Sequence, residues 1–312
     1  MYKKIKKFCS LFICVVFAVL LVPVTARADV GPKPSVHITV EGLGDELCYG
    51  TLLSKNDSTG PSSAWDGIEA NAQHNENEGY GYSNLDYKTW KAFVEYEDPD
   101  GYYFLQEGWL VNETKELSWT YYPPSSFKIL LYFPEQNVFV TSGIYERYAF
   151  DSYYTVNMSE IELSGEVVAI EESMVLETIE AVESYDYGQE IVSLLARIVA
   201  TILIELVIAA LFGFRKKREL RFLAGVNVFT QVILNVLLNL VNYSAGQMAF
   251  VFAYVLLEIV VFVIEAVLYG RFMRNMSEAP RKKRVYIIYA LVANVVSFVV
   301  GFQIAKVIPG IF

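Results

Sequence analysis

Hydrophobic and polar positions divide the chain into two parts with opposite patterns. From residue 191 onward, four apolar stretches follow one another, separated by short polar segments. They are residues 191–214, 222–241, 248–269 and 285–307. Each has about 20 residues or more, which lets a helix cross a hydrocarbon layer of roughly 30 Å. The pattern therefore predicts a four-helix transmembrane bundle in residues 189–312.

The part before these stretches has the pattern of short strands. Val36–Val40 alternates between apolar and polar residues, and a turn-rich link separates it from Glu46–Ser54, which predicts a hairpin. Further strand candidates are Tyr102–Leu105, Glu116–Tyr122, Phe127–Phe133, Val138–Thr141, Tyr153–Met158 and Glu166–Ile170. Short strands at this spacing are typical of a β-sandwich. We expect a mainly-β, sandwich-like extracytoplasmic domain in residues 29–188.

One helix is expected within this domain. Apolar residues recur at helical spacing in Asn84–Tyr96, and Ser83 or Asn84 could serve as its N-cap. Lys55–Gly81 is rich in polar residues and predicts a long surface loop. Met174–Tyr187 is interpreted as a helical or strand-like stem that leads into the first apolar stretch.

The N-terminus has the three parts of a secretory signal peptide. Four lysines precede an apolar run, Phe8–Val22, and Ala26-Arg27-Ala28 supplies small residues at the cleavage positions. We expect residues 1–28 to be a signal peptide that is cleaved before Asp29. An uncleaved membrane anchor is the alternative, although the run is short for a span.

Charge is distributed unevenly between the two parts. Residues 29–188 have 7 Lys and Arg against 29 Asp and Glu, a net charge of −22; residues 189–312 have 13 against 6, a net charge of +7. The basic residues cluster at residues 215–221 and 271–284, whereas Asn242–Gln247 has no charge. Because basic loops stay cytoplasmic, residues 29–188 and the C-terminus are predicted to lie outside. We expect these clusters to contact anionic lipid, not nucleic acid.

No motif indicates a catalytic centre, a cofactor or a metal ion, and we expect none. Asp98 and Asp100 before Gly101 are spaced like the start of a calcium loop, but the remaining ligands are missing, so a turn is favoured. Cys48 is the one cysteine after the expected cleavage site and is interpreted as a buried apolar residue. Tryptophans and tyrosines in the outer domain could bind a glycan or peptide, but core packing is favoured.

Polar residues follow one face of each apolar stretch. They form stripes at spacings of three, four or seven residues, which predicts that they face one another inside the bundle. This intramembrane polar cluster consists of Arg197, Glu205, Asn227, Gln231, Asn235, Asn239, Glu258, Glu265 and Asn294. Two interpretations stay open: a pathway for protons, ions or small solutes, and a hydrogen-bonded core in which Arg197 neutralises a carboxylate.

Several segments resemble an uncharacterised family of Gram-positive bacterial membrane proteins. They are residues 29–35, residues 118–135, residues 235–239 and the pair Glu258 and Glu265. The resemblance extends over nearly the whole mature chain. It implies a bacterial cell membrane and the same two-part build, and it implies no mechanism.

Together these patterns favour a non-enzymatic, multi-pass membrane protein of the bacterial envelope. Its outer domain would bind a wall component, a peptide or a partner. Its bundle would lie in the lipid bilayer and associate with other membrane subunits or with copies of itself. The alternative is a channel or transporter component that uses the intramembrane carboxylates Glu205, Glu258 and Glu265.

Overall fold

The computed structural model describes residues 31–74, 85–112, 114–161, 163, 174–276 and 280–307. The expected signal peptide, the strand candidate Glu166–Ile170 and the last five residues lie outside the described residues. The described chain has an N-terminal β-sheet domain followed by long apolar helices.

Two sheets form the β domain. The first has the order β13-β11-β1-β7, with β1 at Ser35–Glu41, β7 at Glu116–Trp119, β11 at Asp151–Asn157 and β13 at Ala181–Glu183. The second has the order β12-β9-β8-β2-β5, with further pairing from β6 and β10. Its strands are β2 at Tyr49–Ser54, β5 at Tyr103–Phe104, β6 at Trp109–Leu110, β8 at Ser126–Phe133, β9 at Val138–Ser142, β10 at Tyr145–Glu146 and β12 at Met174–Ile179. The short strands β3 (Ser58–Thr59) and β4 (Ser62–Ser63) pair with each other.

The two sheets pack face to face over one core. Val36, Ile38 and Val40 of β1 alternate toward this core, which they share with Ile129 and Leu131 of β8. The opposite face of the second sheet is covered by helix α1 (Tyr87–Glu95), whose Trp90 and Phe93 are buried in a second core. Because both of its faces are covered, β8 is an almost continuous apolar run.

Two local predictions were wrong. β1 and β2 do not form a hairpin: β1 pairs with β11 and β7 in the first sheet, and β2 pairs with β8 in the second. The turn-rich link crosses between the sheets, because both strands bury apolar residues in the shared core. Helix α1 begins at Tyr87, not at Asn84, because the Asp86 carboxylate caps it by accepting from Thr89 N at 3.0 Å.

The Asp98–Gly101 segment is a turn whose carboxylates are already occupied. Asp98 Oδ2 accepts from the backbone N–H groups of Asp100 and Tyr102. Lys128 Nζ, on β8, lies 2.5 Å from Asp98 Oδ1 and 2.9 Å from Asp100 Oδ2. A buried ammonium thus stands where a calcium ion would have to bind. Cys48 is also fully buried, and burial raises the pKa of its thiol to about 12.

Among the described residues, three long helices follow the β domain: α2 (Tyr187–Leu211), α3 (Lys217–Leu268) and α4 (Lys283–Val307). After α3 the chain continues through a π-helical turn, Tyr269–Met273, and a last helical turn, Arg274–Met276. All three helices are long and apolar enough to cross a membrane. Large apolar side chains such as Leu195, Val199 and Leu203 remain exposed on their outer surfaces. This apolar exterior fits contact with lipid.

Helix α3 folds back on itself at Gly246. As a straight rod its 52 residues would extend about 78 Å. Gly246 instead has φ 77° and ψ 177°, a backbone conformation that is essentially restricted to glycine. Residues 217–245 (the first arm) then lie beside residues 247–268 (the second arm), since Thr230 Oγ1 and Glu265 Oε1 are only 2.9 Å apart. The uncharged segment Asn242–Gln247, between the second and third apolar stretches, is therefore helical apart from this one residue.

Opposite ends of the helices have different neighbours. At the end near the reversal of α3, Phe150 N of the β domain donates to Tyr243 O at 2.9 Å. At the other end, the Arg281 guanidinium donates to the carbonyl oxygens of Phe212 and Gly213. The two basic segments of the sequence therefore come together at the end that does not contact the β domain.

Candidate functional site: a junction cavity above a polar helix core

A cavity of about 680 Å³ lies between the β domain and the adjoining ends of the helices. We call it the junction cavity. Asp151 and Tyr153 of β11 line one side, and the segment Ser184–Asp186 lines the entrance to α2. Residues of α2, both arms of α3 and α4 complete it; they are Gln189, Glu190, Ser193, Arg197, Asn239, Asn242, Gln247, Phe250, Val251, Tyr254, Val255 and Phe298. Its volume is in the range of small-molecule sites.

The side of the cavity near the β domain is acidic and aromatic. The Tyr185 hydroxyl donates to Glu190, and its ring lies edge-on to Tyr153 at 6.0 Å. Burial raises the pKa of Tyr185, and the bond to Glu190 adds to this shift. Burial also raises the pKa of Tyr153, and the nearby charge of Asp151 acts in the same direction. Both hydroxyls therefore remain neutral beside carboxylates.

A first layer of polar side chains lies directly below the junction cavity. Arg197 Nη1 of α2 donates to Asn235 Oδ1 at 3.2 Å, and Asn235 Nδ2 donates to Gln231 O at 2.8 Å. A small cavity of about 10 Å³ adjoins these residues, and Tyr254 and Glu258 also line it. Arg197 and Tyr254 line both cavities, so this upper layer connects the junction cavity to the helix interior.

A second layer lies deeper and is centred on Glu265. This residue is fully buried on the second arm of α3. Its Oε1 accepts from Thr230 Oγ1 at 2.9 Å, and its Oε2 accepts from Asn294 Nδ2 at 2.7 Å. Tyr269, which also adjoins Glu265, accepts from Asn227 Nδ2 at 3.3 Å. The carboxylate of Glu265 is thus held by donors from the first arm of α3 and from α4.

Glu205 of α2 belongs to the same lower layer but is held differently. Its side chain is fully buried, and neither carboxyl oxygen has a hydrogen-bond partner within 3.5 Å among the described residues. Asn227 and Glu265 are among its neighbours. Tyr289 Oη of α4 donates to the backbone oxygen of Glu205, not to the carboxyl group. The lower layer therefore contains two buried carboxyl groups, of which only one is supplied with donors.

The structure distributes the nine residues of the sequence-derived cluster over these layers. Arg197, Gln231, Asn235 and Glu258 lie in the upper layer; Glu205, Asn227, Glu265 and Asn294 lie in the lower layer; Asn239 lines the junction cavity. Glu258 and Asn239 are partly exposed and the other seven are buried.

Two members of the lower layer were not singled out from the sequence. Thr230 lies three residues after Asn227, on the same helix face, so its spacing was a usable signal. Tyr289 gave no signal, because an aromatic residue within an apolar stretch is read as part of the lipid-facing or packed surface.

A serine, a histidine and a carboxylate also meet on the outer face of the first sheet. His37 Nε2 lies 2.9 Å from Ser35 Oγ, and His37 Nδ1 lies 2.8 Å from Glu116 Oε1. The Ser35 hydroxyl, however, donates to Asp151 Oδ1 at 2.5 Å, and the His37 ring stacks on Tyr153. Because its proton is directed at Asp151, Ser35 is not arranged as a nucleophile activated by the imidazole. The network instead joins β1, β7 and β11 beside the junction cavity.

Comparison with known proteins gives no relative. No family model matches the chain, and neither a curated protein nor a solved structure matches it. Within the described ranges, no three His, Cys, Asp or Glu side chains are grouped so that they could hold a metal ion. The geometry of the two layers and the junction cavity is therefore the basis for assigning a function.

Proposed function

We propose that this protein is a multi-pass membrane protein of the bacterial envelope whose junction cavity binds an amphiphilic ligand. In this proposal residues 1–28 are a cleaved signal peptide, residues 29–188 lie outside the cell, and residues 189–312 cross the membrane four times. The two arms of α3 count as separate crossings. The resemblance to Gram-positive membrane proteins, based on segments such as residues 118–135, favours this location.

Two observations support the orientation. The basic segments at residues 215–221 and 271–284 come together at one end of the helices, as cytoplasmic loops do. The uncharged reversal of α3 contacts the β domain at the opposite end, through the bond between Phe150 and Tyr243. The C-terminus of α4 then returns to the side of the β domain.

The charge of the cavity favours a cationic head group. Three carboxylates, Asp151, Asp186 and Glu190, line it together with one guanidinium, Arg197. The ring of Tyr185 lies among these carboxylates, and a cation over an aromatic face gains roughly 0.5–2 kcal/mol. An amine or quaternary ammonium group would thus find both opposite charge and aromatic contact.

The deeper wall of the cavity favours an apolar tail. Tyr254 stacks on Phe298 with 5.2 Å between ring centroids and on Phe250 with 6.2 Å. Val251 and Val255 lie beside them. Since this wall is formed by the apolar helices, an alkyl chain could enter along it from the bilayer. The single observation that carries the proposal is this combination of acidic and apolar walls in one cavity.

The proposed role is binding, not catalysis. Two hydroxyls lie 2.9 Å from the His37 ring, those of Ser35 and Ser118. Each directs its proton to a carboxylate, Ser35 to Asp151 and Ser118 to Glu116, so neither is arranged as a nucleophile activated by the imidazole. Binding of the ligand at the outer surface would affect other membrane subunits, or copies of the chain, through contacts between their helices. The association with such a partner is itself part of the proposal.

Binding can be tested on the full-length protein in lipid nanodiscs. Fluorescent alkyltrimethylammonium and alkylsulfate probes with the same chain length would be titrated against it. We expect tighter binding of the ammonium probe, and weaker binding of that probe by Glu190→Gln. Equal affinity for both probes, or an unchanged affinity in Glu190→Gln, would count against the proposed ligand class. Glu95→Gln, on the exposed face of α1, is the matched control and should bind like wild type.

A channel or transporter component is the second candidate function. The observation that favours it is the shared lining of the two cavities by Arg197 and Tyr254, with Glu258 below them. Reconstitution into liposomes with a pH-sensitive dye inside tests it. Proton flux that is lost in Glu258→Gln would support this candidate, and absence of flux in wild type would reject it.

A further inference from the structure

The lower polar layer has more hydrogen-bond acceptors than donors. Four buried oxygen atoms there have no donor among the described residues: both carboxyl oxygens of Glu205, Asn227 Oδ1 and Asn294 Oδ1. The Asn294 N–H groups already donate to Glu265 Oε2 and Ala290 O. Buried polar groups are normally paired, so an excess consisting only of acceptors indicates a missing donor or cation.

The two carboxyl groups of this layer have unequal numbers of hydrogen-bond donors. Glu265 accepts from Thr230 and Asn294, which suits an ionised carboxylate. Turning the Asn227 amide could direct an N–H toward Glu205. Even then, a single neutral donor would serve a fully buried charge that also faces Glu265. A buried carboxylate in this situation is neutralised by taking up a proton.

We propose that Glu205 and Glu265 form one proton-binding site, in which Glu265 is ionised and Glu205 carries the proton. A proton taken from water converts the Glu205 carboxylate to the neutral acid. The new O–H group then donates toward Asn227 Oδ1, which satisfies an orphan acceptor. The site shares no residue with the lining of the junction cavity, so it does not depend on the amphiphile proposal.

The groups around Glu205 agree with a proton in preference to a metal ion. Glu265 and Glu258 face it from the second arm of α3, and Tyr269 from the π-helical turn that follows. Asn227 faces it from the first arm and Tyr289 from α4. Both tyrosines are fully buried and belong to the same apolar cluster as Ala290 and Ala293. Two carboxyl groups in such a packed, tyrosine-lined interior provide few of the six to eight oxygen ligands that a hard divalent cation such as calcium takes.

A route for the proton leads to the junction cavity. Glu258 is among the charged groups near Glu205, and it lines the small cavity together with Arg197 and Tyr254. Those two residues also line the junction cavity. Glu258 is therefore the positioned relay between the buried pair and the side of the membrane that carries the β domain.

Infrared spectroscopy of the full-length protein in nanodiscs tests the protonation state directly. A protonated carboxyl group gives a C=O stretching band that is separate from the bands of carboxylates and peptide groups. We expect such a band in wild type at neutral pH and its loss in Glu205→Gln. Glu219→Gln, which replaces a buried carboxyl group at the start of α3, should keep the band. Identical spectra for wild type and Glu205→Gln would overturn the proposal.

Two further measurements cover the other outcomes. If Glu205→Gln does not fold, Glu205→Asp retains a carboxyl group and should move the band; an unmoved band would also overturn the proposal. A melting temperature that rises with added Na⁺ at constant ionic strength in wild type, but not in the position-205 variant, would assign the site to a metal cation and reject the proton.

The route is tested by the rate at which the band disappears after a rapid rise in pH. Glu258→Gln should slow this loss at least several-fold, because the relay is gone while the site remains. Ser244→Ala, which changes an exposed residue of the first arm of α3 that lines neither cavity, should leave the rate unchanged. Equal rates in wild type and Glu258→Gln would contradict entry through Glu258.

Discussion

The β domain and the helical region both bury ionisable side chains, but the contacts around these side chains differ. In the β domain, Lys128 is 3% exposed and lies within 2.9 Å of carboxylate oxygens of both Asp98 and Asp100. In the helical region, Glu205 is fully buried and has no donor for either carboxyl oxygen among the described residues. Burial of an ionisable side chain alone therefore does not distinguish the two cases. The absence of compensation distinguishes Glu205 from Lys128.

Because of this contrast, substitutions at Lys128 and in the polar layers of the helices should affect stability differently. Lys128 fixes a turn against a central strand, so the fold depends on it. The polar layers of the helices are surrounded by exposed apolar surface that fits a lipid environment. There the polar groups connect the two cavities. They include the carboxyl group of Glu205, for which the described contacts give no structural role.

The largest effect is expected from Lys128→Met. This change leaves the fully buried Asp98 carboxylate without its charged partner, and breaking a buried pair costs roughly 3–5 kcal/mol. Chemical unfolding of the full-length protein, followed by the fluorescence of the buried tryptophans, measures the loss. Lys91→Met is the matched control, since Lys91 forms an exposed pair with Glu95 and should change stability by less than about 0.5 kcal/mol. Equal effects of the two variants would refute the structural role of Lys128.

A smaller loss is expected where the helices meet the β domain. Gly246→Ala forces a strained backbone conformation, which costs on the order of 1–3 kcal/mol, and its Cβ would lie 2.5 Å from the Phe150 ring. Gly225→Ala is the control, because no atom lies within 4 Å of the added carbon. It should stabilise the helix by about 1 kcal/mol. Thermal melting in nanodiscs compares them, and a stabilising Gly246→Ala would contradict the reversal of α3 at this residue.

The smallest of these effects concerns the helix that covers the second sheet. Asp86→Ala removes the N-cap of α1 and should destabilise the protein by about 1 kcal/mol. Asp86→Asn should recover most of this stability, since an amide oxygen can still accept from Thr89 N. Equilibrium unfolding measures both variants. A loss as large in Asn as in Ala would mean that capping is not what Asp86 contributes.

Periodicity was sufficient to predict strands such as β1 and β8 and the apolar helices, but not the partners of the strands. Alternation in β1 and the continuous apolar run of β8 indicate strands, and hydropathy indicates the helices. The pairing of β1 with β11 and β7 could not be predicted, because it joins residues far apart in sequence through a core shared by two sheets. The prediction of a hairpin was wrong for this reason. A turn-rich link can connect strands of two different sheets as well as neighbouring strands of one hairpin.

The polar residues of the helices were predictable as stripes but not as layers. Spacing places Arg197 and Glu205 on one face of α2. Only the packing of the helices brings Arg197 to Asn235 and Glu205 close to Asn227. The unequal supply of donors to Glu205 and Glu265 depends on Thr230 and Asn294, which approach from different elements. No pattern within a single helix carries that information.

The most direct test of the contrast compares Glu265→Gln with Glu205→Gln by thermal melting in nanodiscs. Glu265→Gln directs an amide N–H₂ at Thr230 or Asn294, so one buried contact loses its acceptor, at a cost of about 1–3 kcal/mol. Glu205→Gln replaces a neutral acid by a neutral amide and should leave the melting temperature unchanged or raise it. A drop in Glu205→Gln as large as that in Glu265→Gln would contradict the account, because it would show that Glu205 is held by compensating contacts as Lys128 is.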